Sequence, residues 1–134
     1  MYLLDTNIIS ETRRSRPHGG VLSWLASVGN SELYISAVSV GEIQTGIELT
    51  RPRDPNRSAE LEAWLENVLR MFNVLPMDAQ TFRTWAKLKL GRPTTLYDDA
   101  MIAATAIVND LTVVTRNTRD FTVFEVRTFN PFIG

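Results

Sequence analysis

Four short apolar runs, each followed by a polar stop, constrain this chain more than any other feature. The first is Tyr2-Leu3-Leu4, which runs into Asp5-Thr6-Asn7 and then Ile8-Ile9. The others are Leu33-Tyr34-Ile35 with Ser36 at its end, Val74-Leu75 cut by Pro76, and Leu111-Thr112-Val113-Val114-Thr115. Runs this short and this apolar suit strands whose two faces are both covered, as in a parallel sheet packed by helices. Stretches with helical spacing separate them. The alternation predicts one domain over residues 1–134, a three-layer α/β fold with a mainly parallel central sheet flanked by helices.

The helices follow from spacing and punctuation. A helical turn is expected over 7–12, and a helix over 21–27 that Gly29-Asn30 stops. The segment 38–49 reads as a helix with Val38, Ile43, Ile47 and Leu49 inward, and its Gly41 and Gly46 suggest close approach of another element. A loop over 50–57 leads to a long amphipathic helix capped by Ser58, with Leu61, Trp64, Leu65, Val68, Leu69 and Phe72 on one stripe. Asp78 caps the next helix, which carries Phe82, Trp85, Leu88 and Leu90 and exposes Arg83, Lys87 and Lys89. An alanine-rich helix is expected over 96–109, with Ile102, Ala103, Ala106 and Ile107 on its apolar face. A last strand is expected over 124–128.

Composition excludes several function classes. A chain of 134 residues can bury a real core. It has no cysteine, so a disulfide scaffold and a thiolate metal site are excluded, and a reducing compartment fits. No run is apolar and long enough to span a membrane, and no cleavable signal is expected, so the expected location is cytoplasmic. The sole histidine, His18, lies beside Pro17 and Gly19-Gly20 and offers little acid–base or metal chemistry. A net charge of −1 gives no bulk attraction for nucleic acid. Any such binding must rest on a local patch, and Arg13, Arg14 and Arg16 lie near Asp5 in sequence.

The acidic residues carry the chemistry. Ligands of open α/β sheets sit outside the carboxyl ends of the strands, where Asp5 stands. Asp5 can equally be read as the cap of the helix that follows. Glu42 lies near a helix start just after the second strand, and Ser39 three residues earlier gives it capping-box spacing. Asp99 lies in the first turn of the helix before the fourth strand and reaches the same edge if 94–96 crosses it. Asn117 and Asp120 follow the fourth strand. Right-handed crossovers bring these positions to one edge. Carboxylates gathered without a lysine repel one another unless a cation sits among them, and an oxygen-only set favours Mg²⁺ or Mn²⁺.

Several motifs now carry a family resemblance. They are Leu3-Leu4-Asp5-Thr6-Asn7, Ile35-Ser36 with Val40-Gly41-Glu42-Ile43 and Gly46, and Asp99-Ala100-Met101-Ile102-Ala103-Ala104. They continue with Val114-Thr115-Arg116-Asn117, Asp120-Phe121 and Asn130-Pro131-Phe132. In order and spacing the chain resembles a PIN domain, most closely the VapC-type ribonuclease toxins of type II toxin–antitoxin systems and their FitB-like branch. The resemblance implies a Mg²⁺-dependent endoribonuclease that hydrolyses RNA, often a transfer RNA, leaving a 5′-phosphate and a 3′-hydroxyl. It also implies a homodimer, for which 82–90 and 102–108 offer apolar surface, and a cognate VapB-type antitoxin that silences the enzyme. An arginine on the antitoxin would pair with the acidic pocket.

The resemblance gives Asp5, Glu42 and Asp99 the metal-binding roles, whether for one ion or two, and leaves Asp98 as a helix cap. Some members have Asp where Asn117 stands, so either Asn117 or Asp120 fills the last catalytic position. Thr6 and Thr115 are expected to support the site. Arg13, Arg14, Arg16, Arg116 and Arg119 are expected to hold the RNA backbone. Two other readings compete. A receiver-like phospho-acceptor domain needs a lysine after a late strand, and Lys87 and Lys89 are on a helix. A non-catalytic PIN-like nucleic-acid-binding module fits less well, because all three main carboxylates are present.

Overall fold

Leu3 and Leu4 show how the sheet divides the molecule. Successive residues of a strand face opposite sides. In this computed structural model, which describes residues 1–133, both side chains are essentially inaccessible. Leu4 joins one core with Ile8, Ile9, Ile35, Ile47, Leu65 and Val114. Leu3 joins the other with Ala103, Val113, Phe121 and Phe124. The two cores are the two faces of one sheet, and helices cover each.

The strands are β1 (Tyr2–Leu4), β2 (Leu33–Ser36), β3 (Asn73–Leu75), β4 (Thr112–Val114) and β5 (Thr128–Phe129). Their order is β3-β2-β1-β4-β5, and every neighbouring pair is parallel. The helices are α1 (Thr6–Glu11), α2 (Gly19–Val28), α3 (Ala37–Thr50), α4 (Pro55–Met71), α5 (Ala79–Lys89), α6 (Tyr97–Asn109) and α7 (Thr118–Thr122). The chain winds outward from β1 to β3, then crosses back over the sheet through α5 and α6 to β4. The order therefore reverses between β1 and β4, and a crevice at such a reversal is where open α/β sheets bind ligands. Residues Ala100, Ala103, Ala104 and Ala106 of α6 are fully buried, which lets this helix lie close to the sheet.

The three-layer parallel architecture agrees with the sequence, and several local expectations are corrected. Helix α4 is capped by Asp54, whose side chain accepts from Arg57 N, with Pro55 in the first turn. Ser58 lies buried inside that helix and donates to the Pro55 carbonyl at 2.8 Å. Asp98 does not cap α6: Leu96 occupies that position and no side chain caps it. Helix α2 starts at Gly19, capped by His18, rather than at Val21. Gly41 and Gly46 face open space, with nothing within 4 Å of where a Cβ would stand, so no close approach requires them. The segment after β4 forms α7, and β5 is only Thr128–Phe129, so Phe124 is a core residue outside any strand.

Some apolar residues expected inside are outside. Leu49 is 65% exposed and Leu90 82%, while Leu69 and Phe82 are also exposed. On the face where the sequence pointed to pairing of two copies, Phe82, Leu90 and Ile107 are exposed but Ile102 and Ala103 are core. Among the described residues no helix is long and apolar enough to cross a membrane.

This division between core and surface sets the cost of truncation. Leu4→Ala should lower unfolding free energy by about 2–5 kcal/mol, because it opens a cavity under the central strand. Leu49→Ala should stay within about 0.5 kcal/mol. Urea unfolding of the two variants checks the assignment, and equal midpoints would contradict it.

Candidate active site

Asp5 follows β1 and is 6% exposed. Its backbone is already committed, because Asp5 N donates to the Val114 carbonyl at 2.9 Å. Its Oδ1 accepts from Thr6 N at 2.8 Å, which caps α1. Its Oδ2 accepts from Thr115 Oγ1 at 2.8 Å and from Asn7 Nδ2 at 3.1 Å. Cap and site residue are thus the same carboxylate, with its two oxygens divided between the tasks. Burial pushes the Asp5 carboxyl above its usual range, the three donors hold it down, and nearby Asp120 pushes it up again.

The other acids surround it. Glu42 lies on α3 one turn beyond buried Ser39, which accepts from Thr6 Oγ1 at 2.8 Å. The N-cap of α3 is Ser36, whose Oγ accepts from Val38 N, so Glu42 takes no part in a capping box. Loss of solvent, then repulsion from Asp98, Asp5 and Asp99, raises the Glu42 carboxyl to about 7, with Thr6 opposing. Loss of solvent, then Asp5, Asp120 and Asp98, raises Asp99 to about 6. Five carboxylates on four elements therefore feel one another. The turn Thr94–Leu96 that precedes α6 carries Asp98 and Asp99 to this edge.

Asp98, expected only as a helix cap, is instead the largest charge neighbour of Glu42. Two adjacent acids in one helix turn were the available signal. Asn7 is a linking residue that sequence reasoning missed: its Nδ2 donates to Asp5, and its Oδ1 accepts from Arg116 N at 3.3 Å. Asn117 is exposed at the start of α7 and its N–H donates to Thr115 Oγ1 at 3.0 Å. Asp120 lies in the first turn of α7.

Two features border the acids. A groove of about 310 Å³ runs from Thr6, Ser10 and Glu42 past Ile43 to Leu61 and Trp64. Arg13 lines it and stands 5.9 Å from the Trp64 ring centre. On the other side, Arg116 and Arg119 line a hollow with Asn117, Thr118 and Asp120.

The donor set is oxygen-only, which suits a hard cation such as Mg²⁺ or Mn²⁺. Among the described residues no three His, Cys, Asp or Glu side chains converge tightly enough to enclose an ion unaided. An open set of this kind fits Mg²⁺, which dehydrates reluctantly and is commonly held by one or two carboxylates plus water.

Without a cation the repulsion should be visible as stability. Native Asp99 and Glu42 keep protons up to about 6 and about 7, whereas their ordinary values are 3.8 and 4.5. Between those values the folded chain binds more protons than the unfolded one. Their contribution is fully present below about pH 4 and is lost as pH rises through the folded values. In chelator, the melting temperature should fall from about pH 4 to pH 7, and Glu42→Gln should flatten the upper part of that fall. A scanning-calorimetry profile identical for Glu42→Gln and the wild type would contradict this.

The PIN domain family model matches residues 2–125. Toxin FitB of Neisseria gonorrhoeae is 34% identical over 98% of this chain and 99% of its own length. VapC ribonuclease Y4jK of Sinorhizobium fredii is 32% identical over 98% of each chain. The crystal structure of FitAcB from Neisseria gonorrhoeae superposes with a TM-score of 0.89 at 34% identity, covering 100% of both chains.

Proposed function

Because the chain belongs to the PIN domain family, we propose that it is a metal-dependent endoribonuclease and the toxin of a toxin–antitoxin pair. The observation that carries this reading is the set of mutually repelling carboxylates around Asp5 at the β1–β4 crevice, two of them raised to about 6 and about 7. The names of its relatives, a toxin and a ribonuclease, support it.

Asp5, Glu42 and Asp99 would hold the ion, Mg²⁺ by preference and Mn²⁺ as a substitute. When bound, the ion supplies the positive charge that draws in a phosphodiester and activates water for hydrolysis. Thr115, Thr6 and Asn7 keep the Asp5 carboxylate in one orientation. Asn117, or Asp120 one turn further on, would orient the attacking water. Arg13, Arg14, Arg116 and Arg119 would take the flanking phosphates, and such contacts fix a strand without reading its sequence. Transfer RNA is the substrate class we favour.

Total bacterial RNA incubated with the protein and Mg²⁺ should show discrete cleavage that chelator abolishes. Asp5→Asn should lower the rate by about 100-fold or more, as loss of a central electrostatic group does in other enzymes. Calorimetry should detect weak Mg²⁺ binding that an Asp5→Ala, Asp99→Ala double variant lacks. Cleavage that persists in chelator and in Asp5→Asn would refute the reading.

The same charge gives a route to silencing. An arginine on a VapB-type antitoxin would pair with these carboxylates by a bidentate, charge-assisted contact and exclude both ion and RNA. The groove along Ile43, Leu61 and Trp64 would take apolar residues of the same segment, whereas Ile8 and Ile9 are fully buried and serve the core. Co-expression with the small gene adjoining this one should suppress toxicity, and truncating that partner's C-terminal tail should restore it. Full inhibition by the tail-less partner would end the pocket-plugging idea while leaving the nuclease assignment intact.

A further inference from the structure

Arg116 follows Thr115 and borders two hollows at once. One, of about 290 Å³, is bounded by Asn7, Ser10, Glu11, Arg13, Arg14 and Arg116. The other, of about 390 Å³, is bounded by Arg116 through Asp120. In the first hollow Glu11 is the single carboxylate against three arginines, and it is engaged. It accepts from His18 N at 2.8 Å and lies 3.5 Å from Arg14. Among the described residues no carboxylate pairs with Arg116.

The Arg116 guanidinium lies instead over the Phe132 ring, 4.2 Å from its centre. Phe132 is itself fixed. Its N–H donates to Asn130 Oδ1 at 2.9 Å, and Asn130 Nδ2 donates back to the Arg116 carbonyl at 3.3 Å. The His18 ring leans on Phe132 at 5.0 Å between centres. At its other side the Arg116 N–H donates to Asn7, which also donates to Asp5. Backbone and head of Arg116 are thus both held, and its backbone is tied to Asp5 through Asn7 and through the neighbouring Thr115. An aromatic face can hold a guanidinium by its charge without neutralising it, and the fork of N–H donors stays available to an anion.

We propose that the turn at 130–132 is a positioning device that presents Arg116 as a phosphate subsite for single-stranded RNA. The strand passes from the hollow of Arg13 and Arg14 to that of Arg119, across the edge of the acidic centre. Arg116 touches the phosphate, and Phe132 and Asn130 act through it. The inference rests on the nuclease reading for the identity of the polyanion, and it is tested by binding rather than cleavage, so the two can fail separately.

The probe is a short fluorescein-labelled single-stranded RNA of mixed sequence, titrated by anisotropy in Ca²⁺ at several salt concentrations. Arg116→Ala should weaken binding roughly 5-fold and reduce the slope of log affinity against log salt by about 0.7, the share of one phosphate contact on a single strand. Phe132→Leu should reproduce part of both changes, and Phe132→Tyr, which keeps a ring, should bind as the wild type does. In the Arg116→Ala background, Phe132→Leu should add nothing further, a non-additivity that a general loss of structure would not give. If Phe132→Leu fails to fold by circular dichroism, Asn130→Ala takes its place in the same cycle. Wild-type affinity and slope in Arg116→Ala, or a full additive effect of the turn variant in that background, overturns the proposal. So does a wild type that does not bind the RNA. Cleavage of total RNA tests the nuclease reading independently.

Discussion

The hydrogen bond from Thr115 to Asp5 holds the two halves of the sheet's active edge together. Burying a carboxylate is costly unless donors replace its water. Asp5 has three, from Thr6, Asn7 and Thr115, and only the last crosses between strands. A threonine hydroxyl has a single proton to give. Thr115 gives it to Asp5, and its oxygen accepts from Asn117 N. The carboxylate after β1 thereby sets the loop after β4, including Arg116 and the first turn of α7. A valine at position 115 would keep much of the shape but leave a buried carboxylate oxygen short of a donor.

That coupling explains why one residue can be both a helix cap and the centre of a site. Capping uses Oδ1 alone, and the second oxygen is oriented by side chains that belong to the crevice. Glu42 is different. Ser36 caps α3 well before it, so Glu42 owes nothing to capping, and its neighbours are Asp98, Asp5 and Asp99. A structural helix start gains nothing from four acids held in mutual repulsion. The clustering is a cost to the fold, of the kind concentrated at functional sites.

The strand positions were legible because each is a compact apolar run with a polar stop, and parallel pairing followed from the helices between them. The site edge was legible for the same reason: strand order places Asp5, Thr115 and the first turns of α3 and α6 together. Helix faces were less legible. Leu49 and Leu90 match apolar spacing, but spacing cannot say whether a helix end still overlies the core, and both lie at ends. Ser58 has the chemistry of a cap because serine is a good one, while Pro55 marks the true first turn one step behind Asp54. The strand expected over 124–128 failed because β5 pairs through two residues, too few for a period of two to register. The part Asp98 plays was hidden because its effect is long-range: its partner Glu42 is on another helix, and no local rule joins them.

The electrostatic layout has a consequence that depends only on charge. Carboxylates at the centre repel a polyanion, and the arginines beside them attract it. A cation bound among the carboxylates removes the repulsion, so cation and RNA bound side by side must raise each other's affinity. Linkage requires the factor to be the same in both directions. A partner's arginine on the same carboxylates would instead displace the cation that activates water, even though its own positive charge also lessens the repulsion of RNA. Inhibition by displacing the cation therefore would not need to cover Arg13, Arg116 or Arg119. It would need only the few oxygens around Asp5, whose own carboxylate the Thr115 hydrogen bond holds in place.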